Sequence, residues 1–350
     1  MAKSSTGNFF EDFRLGQEIV HAVPRTVTTG DVSLYSALYG MRFAVQSSGA
    51  FAQSLGLRRA PIDNLLLFHV IFGKTVPDIS LNAVANLGYA ECRFLEQAWP
   101  GDSFTARSTV IGLRENANGK TGIVYVRSTG YDSSGKPVLT FVRWVMVNKR
   151  DQSAPAPEVV IPQTAAAVSG SDLVIPEGLD FSAYDPALAG SPFLFDDYQV
   201  GEKIDHIDGM TIEEAEHQIA TRLYQNTAKG HFDGLAQKSS RFGRRIVYGG
   251  HVISLARGLS FNGLANAPFI AAINGGRHVN PVAGGDTVYA WSEIIDRHAF
   301  EHRTDVGALR VRTIATRDLP CAAHPAPGSD AEPSVLLDLD YWVLVPRGAG

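Results

Sequence analysis

The sequence predicts an α+β fold in which one unit, a buried helix wrapped by a curled antiparallel sheet, occurs twice in the chain. Three observations predict it: an internal repeat, one nearly all-apolar helix in each copy, and runs of alternating residues separated by turn signals. The repeat comes first. The segment NFFEDFRLGQEIVH, ending at His21, returns as FLFDDYQVGEKIDH, ending at His206, and Gly16 and Gly201 stand 185 positions apart. Pro100-Gly101-Asp102 and Gly284-Gly285-Asp286 keep that register, and FVRWVMV (141–147) mirrors LDYWVLV (339–345). The spacing grows to 198 at Trp144 and Trp342 because the second copy carries an insertion, LPCAAHPAPGSDAEPS. Self-similarity at a fixed period is the mark of a duplicated structural unit.

Each copy has the same order of elements. A short amphipathic helix follows the opening strand, over 31–39 in the first copy and 212–224 in the second. Thr211 and Glu214 have capping-box spacing at the start of the latter. A second helix follows, DNLLLFHVIFGK in the first copy and GGHVISLARGLSFNG in the second, apolar nearly all round and therefore buried. FTARSTVIGLRE, TGIVYVRSTGYD and VLTFVRWVMV then read as antiparallel strands. A sheet of this size leaves an edge, and two copies joined edge to edge give one continuous sheet. This is the hot-dog architecture, doubled in one chain. The expected division is a non-catalytic unit over 1–150, a Pro/Ala/Ser-rich linker over 151–190 laid across the surface, and a second unit over 191–350.

Composition narrows the function. The chain has 350 residues, 45% hydrophobic and 19% charged, with a net charge of −5. That balance suits a soluble enzyme and offers no basic excess for nucleic acid or an anionic membrane. Two cysteines, Cys92 and Cys321, rule out a disulfide framework. The start, MAKSSTGNFFEDF, lacks the apolar core of a signal peptide, so a cytoplasmic location is expected. No His pair at i, i+4 with a third ligand suggests a metal, and no glycine pair has phosphate-loop spacing, so no cofactor is expected. Asp102 and Asp286 follow glycine in matched turns and read as turn residues.

The stretch LYQNTAKGHFDGLAQKSSRFGRRIVYGGHVISL (223–255) resembles the MaoC-like, R-specific enoyl-CoA hydratases, whose motif runs Asp, Asn-Pro, then His five residues after the Asp, then a small-residue turn opening the central helix. The runs NFFEDFRLGQ, FGKTVPDISLNAVANLGYA, TRLYQNTA, RFGRRIVYGGH and SFNGLANA carry a further resemblance to the mesaconyl-CoA (2-methylfumaryl-CoA) hydratase, or β-methylmalyl-CoA dehydratase, subgroup. The resemblance implies reversible hydration of 2-methylfumaryl-CoA to β-methylmalyl-CoA, with a CoA thioester as the only small-molecule partner. It implies His231 as the main catalytic residue and Gly249 as the oxyanion glycine. Gly249 and Gly250 open a helix, where backbone N–H groups and the dipole favour an anion.

The departures from the motif matter. Asn226 stands where the family has its catalytic Asp, and Ala228-Lys229 replaces Asn-Pro. An amide cannot accept a proton at neutral pH, so either another acid serves or His231 makes both transfers. Asp233, Glu213, Glu214 and Glu216 are the nearby carboxylates. In the first copy the same offset puts Met41 and Gln46 at the two positions, and neither titrates, so one site per chain is expected. A second carboxylate on the substrate calls for arginine; Arg222, Arg241, Arg244, Arg245 and Arg277 lie near this block, with Arg244 and Arg245 favoured. His69, His251 and His278 read as core or supporting residues. An acyl-CoA thioesterase and a non-catalytic CoA-thioester binding protein are the competing functions, and a homodimer of chains is the expected assembly.

Overall fold

The structure, a computed structural model, describes residues 3–348. Five strands come from each copy: β1 (Glu18–Thr26), β2 (Ala83–Phe94), β3 (Ser103–Glu115), β4 (Thr121–Tyr131) and β5 (Pro137–Asn148), then β6 (Lys203–Thr211), β7 (Phe269–His278), β8 (Thr287–Ala299), β9 (Val306–Arg317) and β10 (Val335–Pro346). All ten form one sheet in the order β1-β3-β4-β5-β2-β7-β10-β9-β8-β6. The halves meet at the antiparallel seam of β2 and β7, where Tyr89 lies opposite Gly276 and Cys92 opposite Ile273. A Cβ on Gly276 would stand 3.0 Å from the Tyr89 ring, so the seam itself favours glycine there. This is the double hot-dog fold, an open sheet wrapped around two helices.

The helix of the first copy, Asn64–Thr75, is buried at every residue, as its uniform apolarity requires. Its counterpart, Gly249–Leu259, is buried from Gly250 onward and is followed by a kink at Asn262 and Gly263. Side chains from both helices and both halves of the sheet share one hydrophobic core. The duplication is visible in detail. His21 Nε2 meets Ser108 Oγ at 2.7 Å, and His206 Nε2 meets Ser292 Oγ at 2.8 Å. The bulges beside them place Val23 and Ile207 at φ of 66° and 65°. Asp102 and Asp286 each accept from a turn N–H three residues back, at 2.9 Å. Cys92 and Cys321 are buried free thiols.

Two local expectations are corrected. The capping box forms in the first copy, where Thr28 and Asp31 bond reciprocally, and not in the second. Thr211 ends β6 and spends its hydroxyl on Thr287 Oγ1 at 2.9 Å, while Glu214 turns to His217 and Arg245. The connecting segment is also more than a surface strap. Val168, Leu173, Leu179, Phe181 and Ala189 are buried in a second core against β7, β9 and β10, and Trp342 Nε1 donates to Val168 O at 3.0 Å. Apolar residues scattered among Pro, Ala and Ser lack a period, so their burial is not readable from pattern.

Candidate active site

His231 sits on the short turn of helix Lys229–Phe232, between the helix Glu214–Leu223 and the second central helix. Three contacts hold it. Its Nδ1 lies 2.9 Å from Ile246 O, its backbone N–H donates to Ala228 O at 3.0 Å, and its carbonyl accepts from Gln218 Nε2. A carbonyl can only accept, so the ring proton is on Nδ1 and the Nε2 lone pair is free. Burial holds the imidazole below its ordinary range, with the Ile246 bond opposing and nearby His217 adding to the shift. At neutral pH His231 is therefore an uncharged base.

Asn226 is buried at 2% exposure. Its Oδ1 accepts from Ala228 N at 3.0 Å, which fixes the first residue of the turn carrying His231. That contact orients the amide and leaves Nδ2 as its donor. In the first copy Met41 and Gln46 are both buried, and Gln46 Nε2 is used on Pro268 O at 2.8 Å.

The second central helix starts beside this turn. Tyr248 is its N-cap, with its ring 5.7 Å from that of His231. Gly249 and Gly250 are the first two helical residues, whose N–H groups have no intrahelical acceptor. The His278 ring covers Gly249: a Cβ there would fall 2.4 Å from His278 Cε1. At Gly250 a Cβ would fall 2.6 Å from His69 Cε1. Glycine is thus demanded at both positions by aromatic walls. His278 Nε2 lies 3.1 Å from Tyr89 Oη, a residue of the first copy. Burial lowers His278 to about 4, so it stays neutral.

The charged candidates are placed differently. Asp233 is exposed and caps the helix Gly234–Gln237, its Oδ1 accepting from Leu235 N at 3.1 Å and Ala236 N at 3.0 Å. Arg245 is paired with Glu214 at 2.5 Å, and Glu214 also holds His217 Nε2 at 3.0 Å. Arg222, Arg241, Arg244 and Arg277 are exposed. Glu213 is the exposed N-cap of Glu214–Leu223. Among the described residues no group of three metal-ligating side chains converges, and no helix is long and apolar enough to cross a membrane.

The arrangement thus offers a neutral base, a neutral amide donor and two free N–H groups at a helix start. A sequence profile described as mesaconyl-CoA hydratase matches residues 2–321. The chain belongs to the mesaconyl-CoA hydratase family. It is 63% identical over 350 residues, 99% of each chain, to the beta-methylmalyl-CoA dehydratase of Chloroflexus aurantiacus. It is 58% identical over 347 residues, 99% of this chain and 100% of the other, to the mesaconyl-CoA hydratase of Cereibacter sphaeroides. Among solved structures, a MaoC domain dehydratase from Chloroflexus aurantiacus superposes with a TM-score of 0.97 at 62% identity over 100% of both chains. A double-hotdog protein from Mycobacterium tuberculosis gives 0.75 at 25% identity over 97% of this chain and 99% of its own.

For a member of the mesaconyl-CoA hydratase family, the residues that spacing alone does not reveal are those across the seam. Tyr89 reaches His278 from 189 positions away. Tyr248 and Gln218 support His231 from inside the second copy. Tyr248 lies in the run IVYGGH, but nothing in its sequence context assigns its ring to His231.

Proposed function

We propose that the chain catalyses the reversible addition of water to 2-methylfumaryl-CoA, giving β-methylmalyl-CoA, at one site per chain built on the second copy. The observation that carries this reading is the Nδ1 contact of His231 with Ile246 O, which leaves a neutral Nε2 on the residue that packs against Tyr248, the N-cap of the glycine helix start. In the hydration direction Nε2 takes a proton from water as its oxygen attacks the carbon beta to the thioester. Charge moves onto the thioester oxygen, where the N–H groups of Gly249 and Gly250 and the helix dipole stabilise it. Protonation of the alpha carbon completes the addition, and the imidazolium of His231 is the available donor. Asn226 supplies a hydrogen-bond donor through Nδ2 and takes no proton. Asp233, whose Oδ1 serves the cap, is given no proton transfer in this reading.

The family membership and this donor set favour hydration over thioester hydrolysis. A homodimer in the cytoplasm completes the reading; light scattering on the eluting protein tests the dimer, with a single-chain mass as the contrary result.

The deciding assay follows the ultraviolet band of the enoyl thioester with 2-methylfumaryl-CoA and crotonyl-CoA, for the wild type and His231→Ala. Turnover of 2-methylfumaryl-CoA without thiol release, reduced roughly 10²–10⁴-fold in the variant, is expected. Thiol release at the rate of absorbance loss, or full activity in the variant, overturns the reading.

A further inference from the structure

The first copy contains a buried cation with no anion among its hydrogen-bond partners. Arg143 on β5 has no exposure, and its hydrogen-bond partners are all neutral: Thr75 Oγ1 at 2.7 Å, Ser80 Oγ at 3.3 and 3.4 Å, and Asn86 Oδ1 at 3.5 Å. Its Nε is buried with no acceptor, and so is the Nδ2 of its neighbour Asn86. Two donors left unmatched on neighbouring side chains, one of them on a guanidinium, are costly unless something accepts from them. Burial lowers Arg143 only to about 10, so it remains a cation at neutral pH.

The buried arginine of the second copy, Arg257, shows the contrast, because the first copy supplies it with a carboxyl neighbour, Asp63. Arg257 stands 185 positions after Phe72, and Tyr341 stands 198 after Arg143, the two offsets of the repeat. Each copy therefore puts one arginine between its central helix and its last strand, from opposite elements. Arg257 has the carboxyl group of Asp63 close enough for their charges to interact, and it donates to Ser260 Oγ at 3.3 Å and to Ala267 O. Arg143 has in that role only tyrosines, Tyr89 and Tyr248, which burial keeps protonated.

Arg143 is linked to the side chains around His231 and Gly249 through one intervening ring on each side. It faces Tyr89 directly across the β2–β5 ladder, and Tyr89 touches His278, which covers Gly249. From the other side its Cζ is 4.3 Å from the Phe72 ring, which is 5.7 Å from the ring of Tyr248, the neighbour of His231. In a fumaryl thioester the free carboxylate is attached to the carbon that water attacks. An anion receptor one side chain beyond His278 and Tyr248 suits that position.

We propose that Arg143, with Asn86 Nδ2 beside it, is the receptor for the substrate's free carboxylate, so that the first copy selects a dicarboxylic thioester while the second performs the chemistry. This inference rests on the hydratase reading. It replaces Arg244, which is exposed, and Arg245, which is paired with Glu214.

The test compares wild type, Arg143→Gln, Arg143→Lys and Asn86→Ala. Each is assayed for kcat/KM on 2-methylfumaryl-CoA and for inhibition by succinyl-CoA, which has a carboxylate, and butyryl-CoA, which has none. The expected result for Arg143→Gln is a loss of roughly a hundredfold in kcat/KM and in succinyl-CoA affinity, with butyryl-CoA changed by less than about threefold. Arg143→Lys recovers part of the loss, and Asn86→Ala shows the same selectivity at roughly tenfold. Equal losses for both inhibitors, or none for succinyl-CoA, overturn the proposal. If the Arg143 variants do not fold, Asn86→Ala decides by the same criterion. A wild type inactive on 2-methylfumaryl-CoA overturns the hydratase reading itself; an active wild type with unselective variants overturns only the role of Arg143.

Discussion

The hydroxyls of Tyr39 and Tyr224 lie 2.7 Å apart, and the two residues are separated by 185 positions, the offset of the duplication. Each is the other's counterpart. His69 Nε2 and Ser254 Oγ, also 185 apart, meet at 3.0 Å. The axis relating the two copies therefore passes through a buried polar contact between the central and short helices. Tyr39 Oη additionally reaches His251 Nδ1 at 2.9 Å, so the symmetry is broken at the axis by a histidine of the second copy alone.

Tyr39→Phe leaves both Tyr224 Oη and His251 Nδ1 short of a partner in a buried site. A destabilisation of about 1–3 kcal/mol is expected in urea unfolding. Adding Tyr224→Phe removes one of the stranded groups. The double variant is then destabilised by less than the sum of the singles, a coupling measured by the double-mutant cycle.

Gly249→Ala forces a Cβ into the His278 ring. The ring must shift away from the helix start, or the helix start from the ring. Either movement disturbs the N–H groups assigned to the thioester oxygen, and kcat is expected to fall roughly 10²–10³-fold. Steady-state kinetics checks this; an unchanged kcat removes the oxyanion role from Gly249.

Acid lowers stability. Burial depresses His69 and His251 to about 3 and His206 and His278 to about 4. Below the ordinary histidine pKa of about 6.5 the unfolded chain takes up protons that the folded chain refuses, so folding weakens as pH falls from 6.5 towards 4. Between pH 7.5 and 5.5 each such histidine contributes about 1.4 kcal/mol of loss. Urea midpoints at the two pH values check the sign. The pH difference should shrink in His206→Gln.

Asp233→Asn should leave kcat/KM within about twofold, because asparagine caps a helix as well as aspartate. Asp233→Ala should cost about 1 kcal/mol of stability through the lost cap. A large loss of activity in Asp233→Asn, with stability unchanged, would return Asp233 to the chemistry.

The acid limb of kcat/KM should lie below the ordinary imidazole range, since Nε2 of His231 must be unprotonated and burial lowers its pKa. Activity then persists as pH falls past 6.5 and is lost only at lower pH. A limb above 6.5 would mean that a carboxylate neighbours His231 in the working enzyme.

The doubled sheet and both buried helices were legible in the sequence because they rest on local patterns repeated at a constant offset. The block from Asn226 to Gly250 was legible as a motif, and Met41 and Gln46 showed that the first copy lacks titrating side chains at the two matching positions. The surroundings of the nearby charged side chains were not. Arginines close to His231 in sequence looked suitable, yet the structure leaves Arg244 in water and gives Arg245 to Glu214. Asp233, nearest of the acids, is occupied at a helix start. Nearness along the chain gives the side chain no direction once the segment breaks into short turns.

The sequence by itself determined the duplication, the order of helices and strands in each copy, and which copy keeps an ionisable histidine beside a glycine pair, since periodicity and spacing act within one segment. Only the tertiary structure decided which residues of the first copy come close to that block. Tyr89 meets His278 because β2 and β7 pair in one particular register, and Arg143 faces Tyr89 because β5 lies on the other side of β2. A shift of that register by one residue would turn both side chains to the opposite face. Pairing between strands more than 180 residues apart is set by the packing of the whole core, which no local pattern records.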